Sequence, residues 1–184
     1  MTLNNYMQSS WVVHDIDDAI RRWTKLGAGP FFMTASEKLP ERTYRGEIGR
    51  DHFIAAHAFL GQAQIELIQP TTQDPSIFRE VLDRKGEALH HVQLNCGVLN
   101  AAEFDERAQR HREMGLELVH SMTIPNVARI VYFDALDQMG CFVELAERPP
   151  FLHENTLKMY EAHLHWDGTD PIRENAFATL IKSH

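Results

Sequence analysis

Cysteine is scarce in this sequence, and long apolar runs are missing from it. Only two cysteines occur among the 184 residues, Cys96 and Cys141, and they form no C-x-x-C pair. This spacing excludes a disulfide scaffold and a zinc site built from thiolates. No stretch reaches the roughly 18 consecutive apolar residues of a membrane-spanning helix, and the N-terminal residues lack a basic segment followed by an apolar one. We therefore expect a soluble, cytoplasmic protein with reduced cysteines.

Clusters of basic residues are also missing. The chain has 18 Lys and Arg against 26 Asp and Glu, which gives a net charge of -8. Nucleic acids and anionic membrane surfaces are therefore not expected as partners, since both are bound through grouped cations. The chain does have 43% hydrophobic residues, enough for one substantial core. We expect its partner to be a small molecule.

Strand and helix patterns occur twice in the same order. The segment VVHDIDDAIRRWTKLGAG predicts a strand and then a helix over residues 16–26, capped by Asp15 and ended by Gly27. Three strand-like runs follow, at PFFMTASE, HFIAAHAFLG and AQIELIQP. A linker helix begins with a cap at Asp74 and Pro75, and the order strand, helix and three strands then recurs.

This repeat predicts the α+β fold class with two tandem βαβββ modules. We place the modules at residues 1–70 and 88–147, with the linker helix over residues 71–87. Residues 148–184 are expected to form a helical C-terminal extension with a second cap at Asp170 and Pro171.

The first and last strands of each module carry polar side chains on one face. Side chains alternate between the two faces of a strand, so residues of one parity share a face. By this rule one face of the four strands is apolar, and the other presents oxygen or nitrogen atoms able to bind a metal, from Gln8, Glu66, His91 and Glu144. An antiparallel sheet with one solvated face has the same pattern, and alternation alone leaves both interpretations open.

Four segments carry a family resemblance: VVHDIDDAIRRWTKLGAGPF, GQAQIELIQP, GEALHHVQL and GCFVELAE. Together they resemble the vicinal-oxygen-chelate superfamily, which includes glyoxalases, methylmalonyl-CoA epimerases, extradiol dioxygenases and fosfomycin or bleomycin resistance proteins. The likeness covers about residues 6–147 and is strongest to glyoxalase-like and methylmalonyl-CoA epimerase-like members. It implies two modules curled into a cup-shaped mixed sheet that holds one divalent metal.

The resemblance also implies the metal ligands. The matching positions are Gln8, Glu66, His91 and Glu144, a set that suits Zn²⁺, Ni²⁺, Co²⁺, Mn²⁺ or Fe²⁺ without distinguishing among them. His91 is the expected ligand because the family's histidine precedes the run VQL, whereas His90 is expected to point toward the helix side or to pack at the strand entrance. By the same resemblance Glu144 and Glu66 are candidate catalytic bases.

Neighbouring positions argue against glutathione as the substrate. Where the glutathione-dependent glyoxalases carry Arg, Asn and Arg, this chain has Val12, Pro70 and Glu87. The glutamate base of methylmalonyl-CoA epimerases falls near Arg50 or Asp51. Further candidates for contact with a substrate are His57, Gln93, Tyr132 and Asn126.

Three functions are compatible with the sequence. The first is a metal-dependent isomerase, epimerase or lyase of glyoxalase type, acting through a metal-stabilised enolate on a small carbonyl or acyl-thioester substrate. The second is a non-catalytic binding or resistance protein of the same fold, and the third is an extradiol-type dioxygenase, for which Gln8 stands where a histidine is expected. The extension is expected to cover the cup or to pack on a partner subunit in a homodimer through its apolar residues Phe151, Leu157, Met159, Leu164, Trp166, Phe177 and Leu180.

Overall fold

The computed structural model describes residue 3 and residues 6–35 and 42–174. These residues contain five helices: α1 (Ile16–Lys25), α2 (Ile77–Lys85), α3 (Ala101–Glu113), α4 (Leu136–Met139) and α5 (Pro150–Leu164). They also contain eleven strands: β1 (Tyr6–Val12), β2 (Phe31–Ala35), β3 (Arg42–Tyr44), β4 (Glu47–Gly49), β5 (Phe53–Leu60), β6 (Ala63–Pro70), β7 (Ala88–Cys96), β8 (Glu117–Ile124), β9 (Ala128–Ala135), β10 (Cys141–Ala146) and β11 (Ile172–Glu174). Among the described helices, none combines the length and the apolar character that crossing a membrane requires.

One mixed sheet joins the described strands in the order β11-β2-β5-β6-β1-β7-β10-β9-β8-β3-β4. In each half the first strand pairs in parallel with the last, β1 with β6 and β7 with β10. The two halves meet where β1 pairs antiparallel with β7. The predicted α+β fold class, with a mixed sheet built from two modules and a helix in the C-terminal extension, is confirmed.

The helix ends follow from their capping residues. Asp15 accepts a hydrogen bond of 2.8 Å from the Asp18 amide at the start of α1, and Gly27 has a φ of 93° after its end, both as expected for the predicted cap and stop. The predicted cap of α2 is wrong. Ser76 rather than Asp74 caps this helix, because its side chain reaches an amide of the first turn.

Strands β3 and β4 form a hairpin that the sequence pattern does not predict. Each strand has three residues, too few to show alternation. The turn residues Arg45 and Gly46 have φ values of 46° and 87°, as a tight hairpin turn requires. Although the hairpin lies in the first half of the chain, β3 pairs with β8 of the second half. A buried ion pair of 3.0 Å between Arg42 and Asp51 anchors it.

The C-terminal extension is helical only in part. Helix α5 is present, but the prediction of a second helix at Asp170 and Pro171 is wrong, because β11 follows there and pairs in parallel with β2. The Pro171 carbonyl accepts a hydrogen bond of 2.7 Å from the Phe31 amide, so this segment satisfies the edge of β2. Phe177 and Leu180 lie outside the described residues.

The helices cover both faces of the sheet. Helices α1 and α3 bury their apolar sides on the outer face, one on each half. Helix α2 lies on the opposite face, which we name the cup face because it carries Glu66, His91 and Glu144. There Phe78 of α2 packs against Phe53, with ring centroids 4.8 Å apart. Helix α5 packs on another part of the same face, and the site described below lies between the two helices.

His120 on β8 is a buried histidine that has to remain neutral. Its side chain is 1% exposed and packs against the rings of Phe78 and Tyr132. Burial, with a smaller effect from the charge of Arg42, lowers the pKa of His120 to about 3. The unfolded chain takes up this proton near pH 6.5, so His120 contributes stability that is complete above that pH and is lost as the pH falls toward 3.

We expect the variant His120→Phe to be less sensitive to acid than the wild type. At pH 5 the proton bound by His120 in the unfolded state costs the wild type about 2 kcal/mol of the free energy of unfolding. Urea unfolding at pH 7.5 and pH 5 measures the difference, and His14→Gln, at an exposed position, is the matched control. Equal losses of stability in wild type and His120→Phe would contradict the assignment.

Candidate metal centre and cavity

Three of the proposed metal ligands meet on the cup face. Nε2 of His91 lies 3.1 Å from Oε2 of Glu66 and 2.7 Å from Oε2 of Glu144. One ligand atom from each residue lies within 4.8 Å of the other two, and all three side chains are buried. We call these residues the ligand trio. The two distances from Nε2 of His91 lie within the span of ligand atoms that share one ion at ordinary distances of about 2.0–2.2 Å.

The register of the strands explains this convergence. Ser10 on β1 pairs with Glu66 on β6 and with His91 on β7. The two side chains therefore flank Ser10, which is fully buried and small enough to leave room between them. Glu144 comes from β10, where its neighbour Phe142 pairs with His91. Strands β6, β7 and β10 thus each direct one side chain to the same point.

Gln8 lies beside the ligand trio. It precedes Ser10 by two residues on β1 and lines the same cavity as Glu66 and Glu144. Its Nε2 donates a hydrogen bond of 3.2 Å to Oε1 of Gln64. Its own Oε1 is buried and has no hydrogen-bond partner among the described residues. This amide oxygen is therefore available to an ion or a ligand.

The two carboxylates determine the charge of the histidine. Burial alone would lower the pKa of His91, but the negative charges of Glu144 and Glu66 raise it to about 9. Burial alone would raise the pKa of Glu66, but attraction to His57 and His91 holds it well below its usual value. Without a metal ion, His91 is therefore an imidazolium between two carboxylates at neutral pH, and a metal ion has to replace its proton.

Two further side chains hold the carboxylates of the trio in place. Nε2 of His57 lies 3.0 Å from Oε1 of Glu66, which leaves Oε2 to face His91. Tyr132 pairs with Glu144 across β9 and β10 and forms a hydrogen bond to it. Burial, and then the charges of Glu144 and Glu66, raise the pKa of Tyr132 well above its usual value. Tyr132 is therefore a neutral phenol that donates to Glu144.

His90 lies on the cup face together with His91. Between two paired positions β1 advances by one residue and β7 by two, so His90 is the extra residue of a β-bulge. The His90 ring packs 4.8 Å from the ring of Phe78. His90 thus contacts a helix, as expected, but this helix is α2 on the cup face and not one of those on the outer face.

A hydrogen bond between the two histidines orients His91. Their Nδ1 atoms are 2.8 Å apart. Burial, and then the charge of His91, hold the pKa of His90 well below its usual range, so His90 is neutral. Its Nδ1 therefore accepts the proton that Nδ1 of His91 donates. This contact turns Nε2 of His91 toward Glu66 and Glu144, as the partners of metal-bound histidines do.

A cavity of about 170 Å³ opens onto this site. Strands of both halves line it, and Glu66, His57, Tyr132 and Glu144 are part of its wall. The helices also contribute to the wall, α2 with Phe78 and α5 with Leu152, Asn155, Thr156 and Met159. Helix α5 thus covers the cup of its own chain, which is the first of the two roles expected for the extension.

Two of the candidate substrate contacts are not in the wall of this cavity. Asn126 is exposed in the turn between β8 and β9 and has a φ of 58°, a conformation that asparagine tolerates well in turns. Gln93 is buried, and its Oε1 accepts hydrogen bonds from Arg148 at 2.8 Å and from the Cys96 thiol at 3.1 Å. Gln93 therefore does not line the cavity itself, but it accepts a hydrogen bond from Arg148, which does.

Arg148 is a cavity residue that the sequence patterns do not reveal. It follows the end of β10 by two residues and lines the cavity. Its hydrogen bonds reach Tyr6, Gln93 and Thr156, which come from three separate parts of the chain. The available signal in the sequence is a single cation two residues after an apolar strand, which is too common to identify a site.

A family model identifies the proteins to which this chain is related. Residues 7–133 match the model of the Glyoxalase/Bleomycin resistance protein/Dioxygenase superfamily. The chain belongs to this superfamily. The resemblance to the vicinal-oxygen-chelate proteins is thereby confirmed. A comparison with curated protein sequences gave no match.

Solved structures similar to this one include several methylmalonyl-CoA epimerases. The enzyme from Mycobacterium tuberculosis is 22% identical, with a TM-score of 0.51 over 79% of this chain and 88% of that one. A variant of the Streptomyces coelicolor enzyme in complex with 2-nitronate-propionyl-CoA is 18% identical, with a TM-score of 0.55 over 81% and 97%. An epimerase in complex with methylmalonyl-CoA and NH4⁺ is also 18% identical, with a TM-score of 0.53. At these identities the likeness shows the fold.

The residues of the site fit the divalent metal that the family implies. Oε1 of Gln8 is buried and has no hydrogen-bond partner among the described residues, and Oε2 of Glu66 and Nε2 of His91 have no partners there beyond the ion pairs of the trio itself. Such atoms are costly unless they bind something. Together with Glu144 they offer one imidazole nitrogen and three oxygens, a donor set suited to Mn²⁺, Fe²⁺, Co²⁺, Ni²⁺ or Zn²⁺.

We expect the wild type to bind about one divalent metal ion per chain with the ligand trio. Glu144→Gln and His91→Asn should lower the affinity for Mn²⁺ by roughly 100-fold or more, and Gln8→Ala by less because its oxygen is neutral. Calorimetric titration and elemental analysis measure these values. Glu117→Gln, at an exposed carboxylate on β8, is the matched control. Equal affinities in His91→Asn and the control would contradict the site.

Proposed function

We propose that this protein is a divalent-metal-dependent isomerase or epimerase that moves the proton α to the carbonyl of a small acyl-thioester. The ligand trio, buried at the wall of a cavity, is the observation that supports this most. A polar face that merely met solvent would not bury two carboxylates against an imidazole, since buried charges are costly unless they are paired or bind a metal.

The two carboxylates of the trio suit proton transfer from two sides. When bound, a divalent metal polarises the substrate carbonyl and so acidifies the α proton. Glu66 belongs to the first half of the sheet and Glu144 to the second, and both line the cavity. For inversion, one of the two is the carboxylate that takes the α proton and the other is the carboxylic acid that donates a proton from the opposite side, so the two groups exchange protonation states in each turnover.

The partners of the carboxylates support different parts of this transfer. His57 contacts Glu66 and has a side chain that is 20% exposed, so it connects that carboxylate with solvent. Tyr132 is buried, and its hydrogen bond keeps Glu144 in one orientation. Exchange of the transferred proton with solvent is therefore expected to be faster at Glu66, through His57, than at Glu144.

The acyl-thioester is proposed on two grounds. The epimerases of similar fold were solved with methylmalonyl-CoA or a propionyl-CoA analogue, which makes thioesters the first class to test. Glutathione is disfavoured because Val12, at a position where a glutathione-binding member has arginine, is fully buried in the core. The trio also has one imidazole and two carboxylates, whereas the extradiol dioxygenases need two imidazoles and one carboxylate.

We expect the protein loaded with Mn²⁺ or Co²⁺ to exchange the α proton of methylmalonyl-CoA with solvent. In D₂O, mass spectrometry should show deuterium entering the substrate faster than in a blank without protein. Glu144→Gln should slow this exchange by about 10²–10⁴-fold, the usual contribution of a general base. Glu117→Gln, at an exposed carboxylate that does not line the cavity, is expected to match the wild type.

Two outcomes would contradict this proposal. One is a metal-loaded wild type that exchanges no faster than the blank. The other is Glu144→Gln and Glu117→Gln proteins with equal exchange rates, because the carboxylate of the trio would then take no part in the reaction.

A further inference from the structure

Arg148 places a positive charge in the wall of the cavity. Among the described residues of the wall it is the single lysine or arginine, and the acidic residues there are Glu66, Glu144 and Glu147. Its backbone is fixed by hydrogen bonds in both directions with Leu99, of 2.9 and 3.0 Å. The guanidinium is therefore held at the junction between β10 and α5.

The contacts of the Arg148 side chain are all with neutral groups. Its Nη1 donates to the hydroxyls of Tyr6 at 2.7 Å and Thr156 at 3.0 Å, and its Nη2 donates to Oε1 of Gln93 at 2.8 Å. Within the described part of the chain it forms no ion pair with a carboxylate. The nearby Arg129 differs, because it pairs with Glu147 at 2.6 Å.

This arrangement leaves Arg148 able to bind an anion. A guanidinium has five N–H groups, and the described contacts use three of them, so the others are available to a ligand. A half-buried cation without a counter-ion is costly, and an anion from outside relieves that cost. Arginine binds carboxylates strongly because two of its N–H groups can face the two oxygens together.

The position of Arg148 relates this anion to the ligand trio. Gln93, which accepts its hydrogen bond, lies two residues after His91 on β7 and pairs with Glu144 on β10. Residues two apart on a strand are separated by about 7 Å. Arg148 thus approaches the trio through Gln93 and lines the same cavity as Glu66 and Glu144, which suits an anionic group on the acyl part of a substrate.

We propose that Arg148 binds a carboxylate of the substrate, so that the protein prefers acyl-thioesters with a second, free carboxylate. The reaction named here rests on the proposed function above, whereas the binding of the carboxylate does not. The alternative is that Arg148 is only a strut that fastens α5 to β1 and β7, through Tyr6, Thr156 and Gln93.

Two thioesters distinguish binding of a carboxylate by Arg148 from a purely structural role of this side chain. Methylmalonyl-CoA carries the carboxylate, and 2-methylacetoacetyl-CoA has a neutral acetyl group in its place with an α proton still to exchange. Arg148→Met should raise the KM for exchange of methylmalonyl-CoA by about 10- to 100-fold and leave that of the neutral thioester unchanged. Arg112→Met, at an exposed arginine of α3 outside the cavity wall, is the matched control and should leave both KM values unchanged.

Equal effects of Arg148→Met on both thioesters would overturn the proposal in favour of a strut. Should Arg148→Met melt below the assay temperature, Arg148→Lys carries the test, since a single ammonium replaces the two N–H groups that face the carboxylate. Its KM should rise severalfold for methylmalonyl-CoA and not for the neutral thioester. The same KM as wild type for both would overturn the proposal.

Binding of malonate tests Arg148 independently of the reaction. Any contact of malonate with the trio is common to wild type and variant, so the difference between them in a calorimetric titration reports the arginine. Weaker binding to Arg148→Met by at least about tenfold supports the proposal even if neither thioester is a substrate. Equal binding, or none to the wild type, overturns it.

Discussion

Two buried carboxylates around one imidazole are the constraint on which the rest of this site depends. Glu66 and Glu144 come within reach of the same nitrogen of His91, and their repulsion is tolerable only when a positive charge lies between them. The pKa of His91, raised to about 9 by these carboxylates, expresses that requirement. A proton satisfies it in the metal-free protein, and a divalent ion satisfies it with a higher charge and more ligand atoms.

The surrounding residues hold these three charged groups in position. His57 and Tyr132 each hold one carboxylate of the trio, and neutral His90 holds the far side of the His91 ring. Ser10 is small enough for side chains from β6 and β7 to meet across β1. Helices α2 and α5 then cover the cup face on either side, and the lower polarity that they create strengthens every charge interaction within the cavity.

The features of the structure that depend on local rules and on family resemblance could be predicted from the sequence. Alternation along single strands puts Glu66 and Glu144 on one face, and capping residues locate the helices. His90 shows where alternation fails, since a β-bulge is decided by pairing with another strand and turns two consecutive side chains the same way. Arg148 shows a second limit. Its surroundings come from segments far apart in the chain, and no periodicity encodes them.

The environment of the bound metal tests the central claim most directly. X-ray absorption at the cobalt K edge, on protein loaded with one equivalent of Co²⁺, reports the number and type of the ligand atoms. The account predicts a single imidazole together with oxygen ligands at about 2.0–2.2 Å, since one histidine belongs to the trio. Two or more imidazoles, a sulfur ligand or no imidazole at all would contradict it.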